Sequence, residues 1–363
     1  MAKIILISPK DNNFYNFRSE LIMKLLELGN EVILICPYGK KMDYFTERGC
    51  RFIDVSIDRR GTSIINDLKL SKVYWQIIKK EKPDVVLTYT SKPSIYGGFV
   101  CGMLGIPYIV NNAGLMETTG VFDKFMKLLY WLGWRKSACI MYQNTLERDV
   151  INKVLHNKVY YKDIPGSGVN LNDFVFKPYP ENDEKIIFNF VARIVKFKGI
   201  EEYLACAKAI KAKYPNTEFR LFGDYDDDGY RKIIADYEKE GIVKYMGIQK
   251  DMRPFIENCH AVIHPSYYEG MTNVVLEHSS SGRPCIGSDV SGVYEGIEDG
   301  KTGYISEVRN ADSLINAVEK FILLSHEQKA AMGKAAREKM EHEFDRDIVT
   351  NTYIEEINKI LQK

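Results

Sequence analysis

The sequence predicts an α/β protein made of two doubly wound parallel-sheet domains. Short runs rich in Ile and Val alternate with segments of helical periodicity along the whole chain. These runs do not alternate apolar with polar residues, which fits strands buried on both faces. The rhythm then restarts after a Gly-rich break, Pro165-Gly166-Ser167-Gly168-Val169-Asn170. At 363 residues the chain is long for one core and comfortable for two.

In the first series the expected strands are Lys3–Ser8, Glu31–Cys36, Arg51–Asp54, Val85–Thr88, Tyr108–Val110 and Ala138–Tyr142. In the second they are Ile186–Ala192, Glu218–Phe222, Val243–Met246, Ala261–His264 and Cys285–Gly287. The glycines of the break permit the backbone angles that a hinge between domains needs. From Ala311 the pattern turns helical, and Asp345–Leu361 closes the chain as an amphipathic helix. The expected division is residues 1–165, residues 166–345 and a terminal helical segment, 346–363.

Composition narrows the class. A hydrophobic fraction of 45% and a charged fraction of 27% are ordinary for a globular protein. The net charge of +1 gives no global field towards nucleic acid, so none is expected as a partner. Seven scattered cysteines without a Cys-x-x-Cys pair fit a reducing, cytoplasmic compartment. Pro9 breaks the first apolar run too early for a signal peptide, and no run approaches the roughly 20 residues that span a bilayer.

The stretch Pro265–Glu277 carries the chemistry. It follows the apolar run Ala261-Val262-Ile263 and leads to Gly282-Arg283-Pro284, so it is expected to be a strand end, a short loop and a helix start. Such a junction presents free N–H groups and the positive helix end, a ready phosphate site. Glu269 is expected just before the helix and Glu277 about two turns inside it, on the order of 10 Å along the axis. A sugar nucleotide has a phosphate and hydroxyls at such a separation. Alone, the two carboxylates are better explained by a Glu favouring the helix dipole and a solvated Glu.

The surrounding residues resemble retaining glycosyltransferases of family 4, which have the GT-B fold. Glu269 and Glu277 match that family's Glu-x7-Glu motif. Ala192-Arg193-Ile194-Val195-Lys196-Phe197-Lys198-Gly199, Tyr245-Met246-Gly247, Gly282-Arg283-Pro284-Cys285-Ile286 and Pro165–Asn170 resemble further family segments. Thr88–Gly97 resembles capsule and O-antigen members. The resemblance implies two Rossmann-like domains facing a cleft, the first for the acceptor and the second for the nucleotide sugar, with the terminal helix crossing back to the first.

It also implies roles. Glu277 would hold the donor ribose, with Gly270, Met271, Thr272, Asn273, Gly223 and Met246 lining the donor site. Glu269 would lie by the donor sugar, and Arg193 and Lys198 would neutralise the departing diphosphate. Asn13, Asn16, Arg18, Lys92 and Asn112 are the candidates for the acceptor. Family members commonly carry a histidine where this chain has Val110–Leu115, which holds none, and Asn112 with the Gly114 backbone are the substitutes. A UDP-sugar donor, a polyprenyl-diphosphate-linked glycan acceptor and the inner face of the cytoplasmic membrane follow from the same resemblance.

Other readings of single segments stand beside these. Asp224–Asp228 has Asp-x-Asp spacing, which holds metals in another glycosyltransferase fold, but here it is expected to be solvated loop, with no metal and no cofactor. The histidines, His264 included, are expected to be structural. In Val121–Lys136, Phe122, Phe125, Met126, Leu129 and Leu132 are expected to face the core. Lys124, Lys127, Trp131, Trp134 and Arg135 fall on the other side, the composition of a membrane-interface helix or of a helix half-buried on a neighbour. The lipid-linked acceptor implied by the resemblance favours the membrane. A GT-B epimerase or hydrolase and a non-catalytic partner of a polysaccharide assembly complex remain the alternative functions.

Overall fold

The computed structural model describes residues 1–57, 63–111, 120–181 and 184–362. The chain divides into two compact units, one of Met1–Ser167 with Arg346–Lys363 and one of Gly168–Asp345. Gly166 and Gly168 flank the division at φ +63° and +65°.

The first unit holds β1 (Lys3–Ile7), α1 (Asp11–Phe17), α2 (Ser19–Glu27), β2 (Glu31–Cys36), α3 (Lys41–Thr46), β3 (Arg51–Asp54) and α4 (Ile64–Glu81). It continues with β4 (Val85–Tyr89), a π-helical turn at Pro93–Gly97, α5 (Gly98–Leu104), β5 (Tyr108–Asn111), α6 (Gly120–Trp134), β6 (Cys139–Tyr142), α7 (Thr145–Val154) and β7 (Tyr161–Asp163). Its sheet is parallel, in the order β3-β2-β1-β4-β5-β6-β7. Ile4 pairs with Val32 on one side and Val85 on the other, so the strand order reverses at β1 and β4. In such sheets ligands bind beyond the carboxyl ends of the strands at that reversal.

The sheet separates two cores. On one face, Phe14, Ile22, Met42 and Phe45 pack with Leu6, Leu34 and Leu87. On the other, Tyr74 and Ile78 of α4, Val100 and Cys101 of α5, Trp134 of α6 and Ile151 of α7 pack on Ile5, Ile33 and Val86. The terminal helix, α14 of the numbering below (Arg346–Leu361), belongs to the first face through Val349, Tyr353 and Ile357. Arg346 pairs there with Glu20 at 2.9 Å.

The second unit runs β8 (Ile186–Val191), a 3-10 turn at Lys196–Lys198, α8 (Ile200–Lys213), β9 (Thr217–Phe222), α9 (Tyr230–Lys239), β10 (Val243–Gly247), α10 (Arg253–Glu257) and β11 (Ala261–His264). Then come α11 (Asn273–Ser280), β12 (Cys285–Ser288), a 3-10 turn at Tyr294–Gly296, β13 (Gly303–Ser306), α12 (Ala311–Ile322) and α13 (His326–Glu343). The order is β10-β9-β8-β11-β12-β13, all parallel. Phe188, Phe190, Phe219 and Leu221 fill its core against α8 and α12. Arg283, which the sequence leaves without a role, is fully buried and clamps this unit. Its guanidinium donates to the carbonyls of Ile256, Glu257, Lys177, Pro178, Ser281 and Gly282.

Two expectations are corrected. Helix α11 begins at Asn273, so Glu277 lies about one turn inside it and residues 265–272 form the loop. In α6, Met126 and Leu129 pack on the core and Lys124, Lys127 and Arg135 are exposed, as expected, but Phe122, Phe125 and Trp134 are not where the pattern put them. Trp134 is fully buried and packs against Tyr130, the ring centroids 4.6 Å apart, and Trp131 is half-buried under the Arg135 guanidinium. Phe122, Phe125 and Leu128 are exposed instead. Gly133 accounts for the burial of Trp134: a Cβ there would lie 2.6 Å from the Ile95 carbonyl oxygen, so this side of the helix end meets the π-helical turn closely and carries its neighbour inward.

Candidate functional site

The candidate donor residues gather beyond the carboxyl ends of β8, β9 and β11. After β8 the chain passes Arg193 and turns through Lys196–Lys198 into α8. Gly199 makes that turn possible at φ +74°, and a Cβ on it would meet the Pro265 carbonyl oxygen at 2.0 Å. The close approach joins two loops: Tyr267 N donates to Phe197 O at 2.9 Å, and the Phe197 and Tyr268 rings stack 5.1 Å apart. Gly223, at φ +143°, faces the Ala192 carbonyl so tightly that no side chain fits.

This joint brings Lys198 to Glu269. Lys198 Nζ donates to Glu269 Oε1 at 2.5 Å, and both side chains are largely buried. His264, the last residue of β11, places Nε2 3.0 Å from the same oxygen. Burial alone would raise the Glu269 pKa, but the His264 hydrogen bond and the Lys198 charge outweigh it and hold the carboxyl at about 2. Glu269 is therefore a carboxylate whose contacts among the described residues all use Oε1, which leaves Oε2 to accept from a ligand. His264 Nδ1 is buried and has no hydrogen-bond partner among the described residues.

The N-cap residue of α11, Thr272, makes no side-chain cap hydrogen bond. It donates its own N–H to Gly292 O at 2.9 Å, so the loop after β12 braces the motif loop. The N–H groups of the first turn then meet the general requirement for an anion site. Gly270 and Met271 lie on the loop leading to this end, Asn273 opens the helix, and Glu277 sits half-buried one turn on. One turn below Val274, His278 is buried with Nδ1 2.8 Å from the Val274 carbonyl, and burial pushes its pKa down to about 3. A neutral imidazole there secures the helix start without adding charge.

Arg193 is half-exposed and pairs with Asp226 Oδ2 at 2.5 Å. The other carboxylates of the acidic run have partners too. Asp224 accepts from Tyr225 N, Asp227 from Gly229 N, and Asp228 pairs with Arg231. Among the described residues, no three His, Cys, Asp or Glu are grouped to hold a metal. Met246 lines a cavity of about 890 Å³ with Arg220, Lys244, Phe255 and His260, and the next residue, Gly247, accepts from Gly223 N at 3.0 Å.

In the first unit the acceptor candidates fall into two clusters. Arg18 is buried, stacks over Tyr89 and Tyr353, and donates to Asn111 Oδ1 at 3.2 Å. Gln143 donates to the same Asn111 oxygen. Lys92 instead pairs with Asp67 at 2.7 Å, and Tyr96 donates to the other Asp67 oxygen. Asn13 is half-buried and Asn16 exposed on α1. Asn112 and Gly114 lie outside the described residues.

Sequence reasoning missed His264, Asp226 and Asn111. The signal for His264 was its place at a strand's carboxyl end, five residues before Glu269. Asp226 and Asn111 become visible only once folding sets them beside Arg193 and Arg18.

Two doubly wound units, with cations and a helix start beyond the second sheet, define an α/β protein of the two-Rossmann-like-domain class. Two family models match the chain: "Glycosyl transferase 4-like" over residues 3–144 and "Glycosyl transferases group 1" over residues 172–339. The chain belongs to the GT-B glycosyltransferases of the family 4 type. It is similar to the N,N'-diacetylbacillosaminyl-diphospho-undecaprenol alpha-1,3-N-acetylgalactosaminyltransferase of Campylobacter jejuni, 24% identical over 99% of each chain. It is similar also to the UDP-Gal:alpha-D-GlcNAc-diphosphoundecaprenol alpha-1,3-galactosyltransferase of Escherichia coli, 25% identical over 79% of each. A glycosyltransferase structure from Rickettsia africae superposes with a TM-score of 0.80 at 17% identity, covering 100% of this chain and 99% of that one, and shares the fold.

Proposed function

We propose that the chain moves a hexose or N-acetylhexosamine, with retention at the anomeric carbon, from a UDP-sugar to a polyprenyl-diphosphate-linked glycan. The setting is bacterial surface polysaccharide assembly at the inner face of the cytoplasmic membrane. One observation carries the reading: Glu269 is fixed as a carboxylate by Lys198 and His264 on the loop that leads to the start of α11. The name of the E. coli relative supports the UDP donor, and the names of both relatives support the lipid-linked acceptor.

The diphosphate of the donor meets the α11 N–H groups, Lys198 and Arg193, so charge developing on the leaving group is neutralised by groups already in place. Glu277 takes the ribose hydroxyls. Glu269 orients the sugar through Oε2 and eases positive charge at the anomeric carbon. The acceptor hydroxyl attacks on the face that UDP vacates. Its oxygen bonds the anomeric carbon, the bond to the diphosphate breaks, and a phosphate oxygen takes the proton. Arg193, Lys198 and the helix end occupy the role of a metal, so the reaction runs without one.

A panel of UDP-, GDP- and ADP-sugars tests the reading. A UDP-sugar should raise the melting temperature and yield product with a prenyl-diphosphate-linked saccharide in EDTA. Absence of transfer from every donor overturns the function. Loss of activity in EDTA that magnesium or manganese restores overturns metal independence and returns Asp224–Asp228 to the site.

A further inference from the structure

We infer that the outward face of α4, α5 and α6 docks on an anionic lipid bilayer. The inference rests on the lipid-linked acceptor proposed above and assigns the surface that reaches it. These three helices cover one face of the first unit's sheet, so their solvent-exposed sides share one outward direction. That direction is apolar to an unusual degree. Ile65 and Leu68 of α4, Phe99 and Met103 of α5, and Phe122, Phe125 and Leu128 of α6 are all exposed. Single exposed apolar residues are common, but seven on neighbouring helices form a face that water does not favour.

Charge selects the occupant. Residues 64–136 carry ten Lys and Arg against five Asp and Glu, while the whole chain is only +1. Lys69, Lys72, Lys79, Lys80 and Lys124 are exposed and make no ion pair among the described residues. The helical carboxylates of the face are engaged: Asp67 with Lys92, Glu81 with Arg51, and Asp123 with Lys127. Large apolar side chains amid unpaired lysines match the acyl boundary and headgroups of an anionic leaflet. Among the described residues no helix is long and apolar enough to cross the membrane, so the contact proposed is at the surface.

Sedimentation of the full chain with phosphatidylcholine vesicles, with or without about 30% phosphatidylglycerol, tests the inference. The parent should pellet with the anionic vesicles and bind about tenfold more weakly without them or at high salt. A Phe122→Ser/Phe125→Ser/Leu128→Ser variant and a Lys69→Glu/Lys72→Glu/Lys124→Glu variant, each melting cooperatively, should lose about tenfold in binding. Leu323→Ser, an exposed apolar change in the second unit, should bind as the parent does. Binding of both variants at parent level, or a parent that stays in the supernatant, overturns the inference. A parent dimer that the serine variant converts to monomer also overturns it, because a second copy then covers the face. Turnover of a UDP-sugar with a short-chain, water-soluble acceptor separates the two readings. Vesicle binding by a parent with no such turnover keeps this face and removes the transferase reading. Turnover without vesicle binding does the reverse.

Discussion

Glu269 is the residue on which the proposed chemistry turns, and its ionisation gives a directional test. Its folded pKa, about 2, lies below the usual carboxylate value of 4.5. The stabilisation from its charged form is therefore fully present above pH 4.5 and is lost as pH falls towards 2. The melting-temperature gap between the parent and Glu269→Gln should narrow on acidification from pH 6 to pH 3. A gap that widens would mean that Lys198 and His264 do not hold the carboxylate. Kinetics divide the two glutamates. Glu277→Ala should weaken donor binding by about 1.5–3 kcal/mol with a smaller effect on kcat. Glu269→Ala should depress kcat more than donor affinity, since its proposed contact strengthens in the transition state. Equal and small effects of both would remove their separate roles. Arg193→Ala or Lys198→Ala should each lower kcat by about 10²-fold or more.

At the scale of elements, Arg283 shows why the loops around α11 stay in place. Removing its buried guanidinium leaves up to six carbonyls without that donor, so Arg283→Met should cost on the order of 3–5 kcal/mol in stability, measured by urea unfolding. A loss below about 1 kcal/mol would show that water replaces the clamp. The buried strands were legible because both of their faces are apolar, as in Ile4-Ile5-Leu6-Ile7. Edge strands β7 and β13 were not: Tyr161–Asp163 is largely exposed, and Gly303–Ser306 is short and begins with glycine. The motif gave Glu269, Glu277, Arg193 and Lys198, yet their partners His264 and Asp226 follow from tertiary approach. In helix α6, Phe122, Phe125 and Trp134 were misplaced for a related reason. Periodicity marks a stripe but not which side has a neighbour, and Gly133 against Ile95 decided that.

At the scale of the molecule, each unit presents polar chemistry at the carboxyl ends of its strands, where a strand-order reversal opens the sheet. The first unit sets Arg18, Asn111 and Gln143 there; the second sets Lys198, Glu269 and the start of α11. The central claim is that these groups serve sugar transfer from a UDP donor, with Lys198 and Glu269 at its chemical step. The most direct measurement is the rate of sugar transfer from a UDP-sugar to a prenyl-diphosphate-linked saccharide in EDTA, for the parent, Lys198→Ala and Glu269→Ala. The account predicts product from the parent and about 10²-fold less or lower still from either variant, with folding intact. Product formed at the parent rate by both variants would contradict it.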